Sequence, residues 1–246
     1  MIFHHQQRNI SNINLKLCIN GTEIEQVSEF NFLGIMLDEC LTWNSHIQRI
    51  ASKISVVNGT LCRLKKFLPS EILKVIYNAL IQPHLNYGIL LWGNKTNRIH
   101  KLQKLAIRSI TCSKYNAHTD PLFIQLKILK VQDIYKLSVL KFFYKYNKDI
   151  LPNYFRLMFE SIYPSHDHFT RQREQPVVAR GKSKIANQSI RYSLPQILAN
   201  TQQLIIEKLS THSFNGFVNY TKHCFIAQYN PACSTVNCFV CKRAET

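Results

Sequence analysis

Residues 44–68 carry the sequence NSHIQRIASKISVVNGTLCRLKKFL, and this stretch decides the class of the fold. Its apolar side chains recur at steps of three and four residues, which places them along one side of an α-helix. These positions are Ile47, Ile50, Ile54, Val57, Leu61, Leu64 and Leu68. Asn44 or Ser45 can cap the start of the helix. The seam is too short for an extended coiled coil, so it predicts a long helix packed inside a small bundle.

The helical period continues beyond this stretch. A second helix is predicted from Ser70 to a kink or end at Pro83. The residues of this helix that we expect to face the core are Ile72, Leu73, Ile76, Ala79 and Leu80. Apolar spacing predicts further helices over residues 97–112, 121–129, 131–146, 195–209 and 214–225.

The residues before the first helix have the alternating pattern of strands. Leu17 and Ile19 alternate with polar residues, and Asn20-Gly21 predicts a type I′ turn between two strands. A further strand is predicted around Gly34, either buried or packed closely against another element. The chain is therefore expected to be mainly α, with an incomplete β region at residues 1–43 and a helical domain at 44–160. A basic loop or linker at 161–194 and C-terminal helices with a cysteine-rich tail at 195–246 complete the prediction.

The charge balance points to an anionic partner. The chain carries 31 Lys and Arg against 14 Asp and Glu, a formal net charge of +17. Such an excess favours RNA or DNA, because lysine and arginine displace counterions from phosphate groups. A membrane span is not expected, because the longest apolar stretch, residues 88–92, is far shorter than the ~20 residues a spanning helix needs. The start of the chain lacks a signal-peptide pattern, so we expect an intracellular protein, in the cytoplasm or the nucleus.

Two sets of basic residues are candidates for contacts with phosphate groups. Arg98, Lys101, Lys104 and Arg108 recur on one face of the predicted helix over residues 97–112, and we call them the basic stripe. Arg63, Lys65 and Lys66 lie outside the apolar seam of the first helix. The competing interpretation is a solvated helix face, which is the common position of lysine on amphipathic helices.

No catalytic residue is assigned from the sequence. Two-metal polymerases need carboxylates that converge on paired ions, often as an Asp-Asp or Asp-x-Asp pair, and the chain has neither. The adjacent Asp38 and Glu39 are predicted to end a strand in solvent.

The cysteines near the end of the chain offer two alternatives. Cys224, Cys233, Cys238 and Cys241 supply enough soft ligands for a tetrahedral zinc site. Their spacing departs from the common paired-knuckle pattern, so reduced thiols in a frayed tail are the other interpretation.

Taken in order, short motifs along the chain resemble the region after the catalytic palm in reverse transcriptases of jockey-like non-LTR retrotransposons. The motifs are Phe32-Leu33-Gly34-Ile35, Leu37-Asp38, Leu41-Thr42-Trp43, Leu68-Pro69, Ala79-Leu80-Ile81, Tyr87-Gly88, Trp92-Gly93, Leu102-Gln103-Lys104, Ala106-Ile107-Arg108, His118-Thr119, Pro121-Leu122-Phe123, Asp133-Ile134-Tyr135, Thr170-Arg171 and Ser189-Ile190-Arg191-Tyr192.

The resemblance implies a division of labour. Phe32, Leu33, Gly34 and Ile35 match the primer-grip hairpin that holds the primer end, and the following helices match the thumb that tracks the template and primer backbone. The catalytic Asp-Asp box and the magnesium it holds belong to the N-terminal part of such a polymerase, which this chain lacks. The expected function is therefore RNA or DNA backbone binding of the template–primer type, without sequence preference and without polymerase activity. The alternatives are a helical interaction protein, or a small zinc module at the C-terminus.

Overall fold

The computed structural model describes residues 1–4, 16–159, 181 and 184–230. In this part of the chain, short strands come first and helices follow. The strands are β1 (Cys18–Ile19), β2 (Thr22–Glu23), β3 (Glu29–Phe32) and β4 (Ile35–Asp38). The helices are α1 (Asn44–Leu64), α2 (Ser70–Leu80), α3 (Gln82–Asn86), α4 (Ile89–Trp92), α5 (Asn97–Ile110), α6 (Asp120–Leu126), α7 (Val131–Asn147), α8 (Asn153–Phe159), α9 (Lys184–Gln188), α10 (Ile190–Ala199), α11 (Gln203–Thr211) and α12 (Phe214–Ala227). The prediction of a mainly α fold behind a short N-terminal β-hairpin region is confirmed.

Each pair of strands forms an antiparallel hairpin with a two-residue turn. Asn20 and Gly21 join β1 to β2 with φ of 49° and 78°, which confirms the predicted type I′ turn. Leu33 and Gly34 join β3 to β4 with φ of 48° and 82°. Positive φ at both central residues matches the right-handed twist of the flanking strands. Gly34 therefore lies in a turn, and the predicted strand begins after it, at Ile35.

A carboxylate connects the second hairpin to the first long helix. Asp38 Oδ1 accepts a hydrogen bond from the Thr42 backbone N–H at 2.8 Å, and Oδ2 accepts one from the Trp43 N–H at 2.9 Å. Asp38 ends β4 as expected, but its carboxylate is half-buried and not in solvent, because these donors hold it against the chain. Neither Asn44 nor Ser45 caps α1, whose N-cap residue is Trp43 with no side-chain cap bond.

The seam of α1 faces the core as predicted. Ile54 and Leu61 are fully buried, and the remaining seam residues are buried or packed against the core. The helix packs against α5: the buried Asn58 donates from Nδ2 to the Leu102 carbonyl at 3.0 Å. Contacts between these two segments advance in the same direction along each: Gln48 meets Arg98, Asn58 meets Leu102, and Lys65 meets Cys112. The helices α1 and α5 therefore run parallel.

A buried amide joins three parts of the bundle. Gln103 on α5 is fully buried, and its Nε2 donates to the Tyr77 hydroxyl on α2 and to the Leu129 carbonyl, each at 2.9 Å. Its Oε1 accepts from the Val131 backbone N–H, also at 2.9 Å, where α7 begins. Burial holds the pKa of the Tyr77 phenol above its usual range. A polar group without solvent must be hydrogen-bonded to avoid a large desolvation cost, and Gln103 satisfies all of these partners at once.

The expected core face of α2 is partly wrong. Leu73 and Tyr77 are fully buried, whereas Ile72 and Leu80 are exposed by 46% and 48% and Ala79 is also exposed. The helix packs on α1, α3 and α5, and those neighbours cover the side that holds Leu73 and Tyr77. The sequence of α2 is apolar on more than one side, so the spacing of its apolar residues alone does not identify which side is buried.

The C-terminal helices begin earlier than predicted. Helix α10 starts at Ile190 and contains Pro195, so it extends into the range expected to be a linker. Proline usually marks a first helical turn. Here the helix continues through it, because Leu194 and Leu198 are buried on α7.

The segment after α12 is anchored to the start of α7. Tyr229 donates its hydroxyl proton to Asp133 Oδ2 at 2.7 Å and accepts from the Lys130 backbone N–H at 3.0 Å. The Lys130 ammonium lies 4.2 Å from the centre of the Tyr229 ring and forms an ion pair with Asp120 at 2.8 Å. Burial and the neighbouring Asp133 carboxylate raise the pKa of Tyr229, which favours the neutral donor.

Replacing Gln103 with leucine should destabilise the whole bundle. The substitution keeps the approximate volume but leaves the Tyr77 hydroxyl, the Leu129 carbonyl and the Val131 N–H without their partner. We expect a loss of about 3 kcal/mol or more in the free energy of unfolding, because each stranded group costs about 1–3 kcal/mol. Urea denaturation followed by circular dichroism measures it. The matched control is Gln125→Leu on the exposed face of α6, which should change stability little; equal losses in both variants would contradict the role of Gln103.

Candidate nucleic-acid interface

The turn between β3 and β4 is held against the end of α3. The Tyr87 hydroxyl donates to the Leu33 carbonyl in the turn. Gly88 follows with φ of 61°, and a Cβ added there would lie 2.7 Å from Ile35 Cδ1. Glycine at this position therefore lets Ile35 of β4 lie directly over the backbone. The primer-grip-like residues Phe32, Leu33, Gly34 and Ile35 thus form the tip of this hairpin, where Phe32 and Leu33 are 55% and 73% exposed.

A cleft of about 360 Å³ opens between this tip and two helices. We call it the turn cleft. One wall is the turn itself with Tyr87, and another is α3, which contributes His84. Helix α1 supplies His46, Arg49 and Lys53, which lie on one side of the helix because they are three and four residues apart.

The electrostatics of the turn cleft favour an anion. Arg49 and Lys53 are exposed cations. Burial and then the charges of Arg49 and Lys53 lower the pKa of His46. Burial and then Lys53 lower the pKa of His84, so both imidazoles are neutral at pH 7. Among the described residues that line the turn cleft, none is acidic.

His46 adds a hydrogen-bonding group to this cleft. The side chain is 3% exposed, and its Nδ1 accepts from the Met36 backbone N–H at 3.3 Å. That bond places the proton of the neutral ring on Nε2. Within the part of the chain that the structure describes, Nε2 has no hydrogen-bond partner. A buried N–H without a partner carries a desolvation cost.

The residues of the basic stripe on α5 differ in exposure and in their partners within the fold. Arg98 and Lys101 are exposed, and the Arg98 guanidinium donates to Gln48 Oε1 on α1. Lys104 is half-buried. Arg108 is half-buried too, and its Nε donates to the Ala117 carbonyl at 2.9 Å, which fastens the loop after α5. Burial lowers the pKa of Arg108. A role of these residues in nucleic-acid binding stays a prediction. Arg108 also has a structural role, because it holds the loop after α5.

The second basic set lies at the C-terminal end of α1. Arg63 and Lys66 are exposed and Lys65 is half-buried. The Cys112 thiol, just after α5, lies 3.7 Å from the Lys65 carbonyl. The ends of the parallel helices α1 and α5 thus meet, and this set lies close to the Arg108 end of the basic stripe.

Sequence reasoning missed the turn cleft. Arg49 and Lys53 were recognisable as cations outside the seam of α1, with the four-residue spacing of neighbours on a helix. Their relation to His84 and to the β3–β4 turn depends on contacts between residues distant in the chain, which spacing does not reveal.

One of the four predicted zinc ligands lies among the residues that the structure describes. Cys224 lies half-buried on α12, while Cys233, Cys238 and Cys241 lie outside the described residues.

A different group of possible metal ligands lies near the start of the chain, where donor atoms of His4, Glu39 and Cys40 lie within 4.8 Å of one another. His4 Nε2 is 3.5 Å from Glu39, whereas the opposite nitrogen, Nδ1, is 3.9 Å from the Cys40 sulfur. Loss of solvation and the carboxylates of Glu39 and Asp38 raise the pKa of the Cys40 thiol, which opposes the thiolate that metals prefer. No cofactor is established by this group.

Comparison with known proteins confirms the resemblance found in the sequence. The chain is 28% identical over 123 residues to the RNA-directed DNA polymerase from mobile element jockey of Drosophila funebris, a match that covers 47% of the chain. It is 27% identical over 134 residues to a probable RNA-directed DNA polymerase from transposon BS of Drosophila melanogaster, across 51% of the chain. A probable polymerase from the transposon X-element of the same species is 27% identical over 123 residues, across 47% of the chain. The chain is therefore similar to reverse transcriptases of transposable elements.

These matches concern a small part of each relative. They span 13% of the length of the jockey polymerase and 15% of that from transposon BS. No family model matches the chain. No solved structure matches it either. Among the helices that the structure describes, none is long and apolar enough to cross a membrane.

The two imidazoles of the turn cleft should titrate below the ordinary histidine range. Their pKa values are lowered by burial and by the neighbouring cations, so the neutral form persists to lower pH. In an NMR titration of the ring protons, we expect His46 and His84 to have midpoints below 6.5. The double variant Arg49→Gln/Lys53→Gln should move both midpoints upward. Midpoints at or above 6.5 in the unchanged protein would contradict the proposed electrostatics.

Proposed function

We propose that this chain binds the phosphate backbone of an RNA or DNA template–primer duplex, as the primer-grip and thumb part of a retrotransposon reverse transcriptase. The observation that supports this proposal most directly is the turn cleft. It sets two exposed cations, Arg49 and Lys53, beside the primer-grip-like turn, with no acidic group among the described residues around it. The relatives support the same conclusion, because their names describe RNA-directed DNA polymerases.

In this proposal, each part of the cleft has a chemical role. Arg49 and Lys53 neutralise phosphate groups and release counterions, which supplies affinity without sequence preference. The exposed Phe32 and Leu33 at the hairpin tip present apolar surface to the sugars or the terminal base. Arg98 and Lys101 on α5, with Arg63 and Lys66 at the end of α1, extend the positive surface.

The proposed organisation follows the resemblance. Residues 1–43 are the remnant of a palm, and residues 44–160 are the thumb-like domain. Zinc bound by Cys224 with Cys233, Cys238 and Cys241 remains the alternative to reduced thiols. The partner that would complete the enzyme is the N-terminal part of such a polymerase, which would bring the magnesium-binding carboxylates.

Duplex binding should depend on salt and on the turn cleft. With a fluorescent RNA–DNA hybrid, the logarithm of affinity should fall linearly with the logarithm of salt concentration, by about 0.9 per phosphate contact. Arg49→Gln/Lys53→Gln should weaken binding for all sequences alike. It should also make the salt dependence less steep, by an amount equivalent to about two phosphate contacts. Fluorescence anisotropy at several salt concentrations measures both quantities.

The control for that experiment is Lys114→Gln/Lys148→Gln, which removes the same charge from exposed positions outside the turn cleft. The proposal requires a smaller effect in the control. Equal weakening in both variants, or binding that salt does not change, would favour a scaffold whose charge serves solubility.

The chain alone should not extend a primer. A two-metal polymerase needs converging carboxylates. Asp38, which belongs to the one pair of adjacent acids, is occupied by the backbone N–H groups of Thr42 and Trp43. A primer-extension assay with magnesium and all nucleotides should yield no product above a no-protein blank. Extension by purified chain, retained after further chromatography, would refute this part of the proposal.

A further inference from the structure

A second basic cavity lies away from the turn cleft, and none of its lining residues is shared with it. It has a volume of about 650 Å³ and opens between α2 and α3 on one side and α7 and α12 on the other. The connection between α6 and α7 closes one end. Its size falls within the range of roughly 300–1,000 Å³ that small-molecule sites occupy. We call it the lysine cavity.

Lysines from separate elements line this cavity. Lys74 comes from α2, Lys141 from α7 and Lys222 from α12, and Lys127 follows α6. No acidic residue is among the lining residues that the structure describes, and none of these ammonium groups belongs to an ion pair described there. Burial, and then the charges of Lys145 and Lys222, lower the pKa of Lys141. The fold thus gathers like charges without a counterion, and a bound anion would relieve their repulsion.

The wall made by α2 and α3 is polar along its length. Asn78, Gln82 and Asn86 follow Lys74 at steps of four residues, so one side of this wall presents amides to the cavity. Gln82 Nε2 donates to Asn86 Oδ1 at 3.1 Å, which orients the pair. This arrangement turns the polar side of α2 toward other helices, while Ile72 and Val75 of the same helix are exposed.

The floor of the cavity is apolar. Leu129, Ile134 and Leu137 line it and are exposed by 6%, 4% and 6%. A bare polyphosphate would use the lysines and leave this floor and the amide wall without a function. A ligand that joins phosphate groups to a flat base uses all of them: ammonium groups bind phosphate, apolar side chains contact the face of a base, and amides bind its edge.

We propose that the lysine cavity binds a nucleotide, with its phosphate groups on the lysines and its base on the apolar floor. The nucleotide is either free in solution or one unit of a single strand. This site is separate from the duplex-binding surface, so it stands or fails independently of the proposed function.

The test measures binding of three probes to the full chain: ATP, inorganic tripolyphosphate and a fluorescent eight-residue oligouridylate. The first variant is Lys141→Gln/Lys222→Gln, which removes two charges from the cavity. Its control is Lys114→Gln/Lys148→Gln, which removes the same charge from exposed positions outside the cavity lining. Asn78→Trp at the exposed mouth fills the cavity without changing the charge. Circular dichroism and duplex binding of every variant verify the fold.

We expect ATP or the oligonucleotide to lose at least about tenfold in affinity with Lys141→Gln/Lys222→Gln, because two charge-assisted contacts disappear. Asn78→Trp should weaken the same probe, and the control should stay within about twofold. Binding of ATP identifies a free nucleotide as the ligand, whereas binding of the oligonucleotide without ATP identifies a strand.

The proposal is overturned in either of two cases. One is that neither nucleotide probe responds to the cavity variants more than to the control, while duplex binding through the turn cleft persists. The other is that tripolyphosphate binds as tightly as ATP and the oligonucleotide, because then the floor contributes nothing. If duplex binding fails while a nucleotide responds to the cavity variants, the proposed function fails and the cavity assignment stands.

Discussion

The arrangement of the bundle depends on the satisfied amide of Gln103. This side chain is fully buried, so any missing hydrogen bond would carry a desolvation penalty without compensation from water. Its partners belong to α2, to the segment before α7 and to α7 itself, and each bond is 2.9 Å long. The amide therefore fixes the position of α2 and α7 relative to α5 more narrowly than apolar packing alone, which tolerates many arrangements of similar energy.

Both cavities follow from this arrangement. Holding Tyr77 of α2 against α5 sets the direction of the helix, so its polar residues from Lys74 onward face the cavity that α7 and α12 close. The chain then turns at Pro83 into α3, which brings His84 to the turn cleft and Tyr87 to the β3–β4 turn. A polar residue in the core thus positions the helices that line both cavities, although it contacts none of their cations.

The sequence predicted what depends on neighbours along the chain and missed what depends on partners across it. The seam of α1 and the Asn20-Gly21 turn are local patterns, and both are confirmed. The burial of Gln103 and the role of Asp38 require partners that folding brings close, and polar residue types alone favour solvent. On α5, Leu105 is 37% exposed, whereas Ile107 is fully buried. This helix packs against both α1 and α7, so its buried face differs from one apolar stripe.

The basic side chains of the chain differ in whether interactions within the fold already explain their positions. Some of these side chains have partners within the fold, namely Lys130, Lys136 and Arg108. Binding a ligand would require them to give up those contacts. Arg63 and Lys65 lie at the C-terminal end of α1. The helix carries a partial negative charge of about half a unit there, so cations at this end stabilise it. Their position is therefore explained by helix stability alone. Arg49 and Lys53 have no such explanation: they lie away from both ends of α1, on the side of the helix that lines the turn cleft. Cations that helix stability does not explain are the stronger argument for an anion site, and the turn cleft is where Arg49 and Lys53 lie beside the β3–β4 turn.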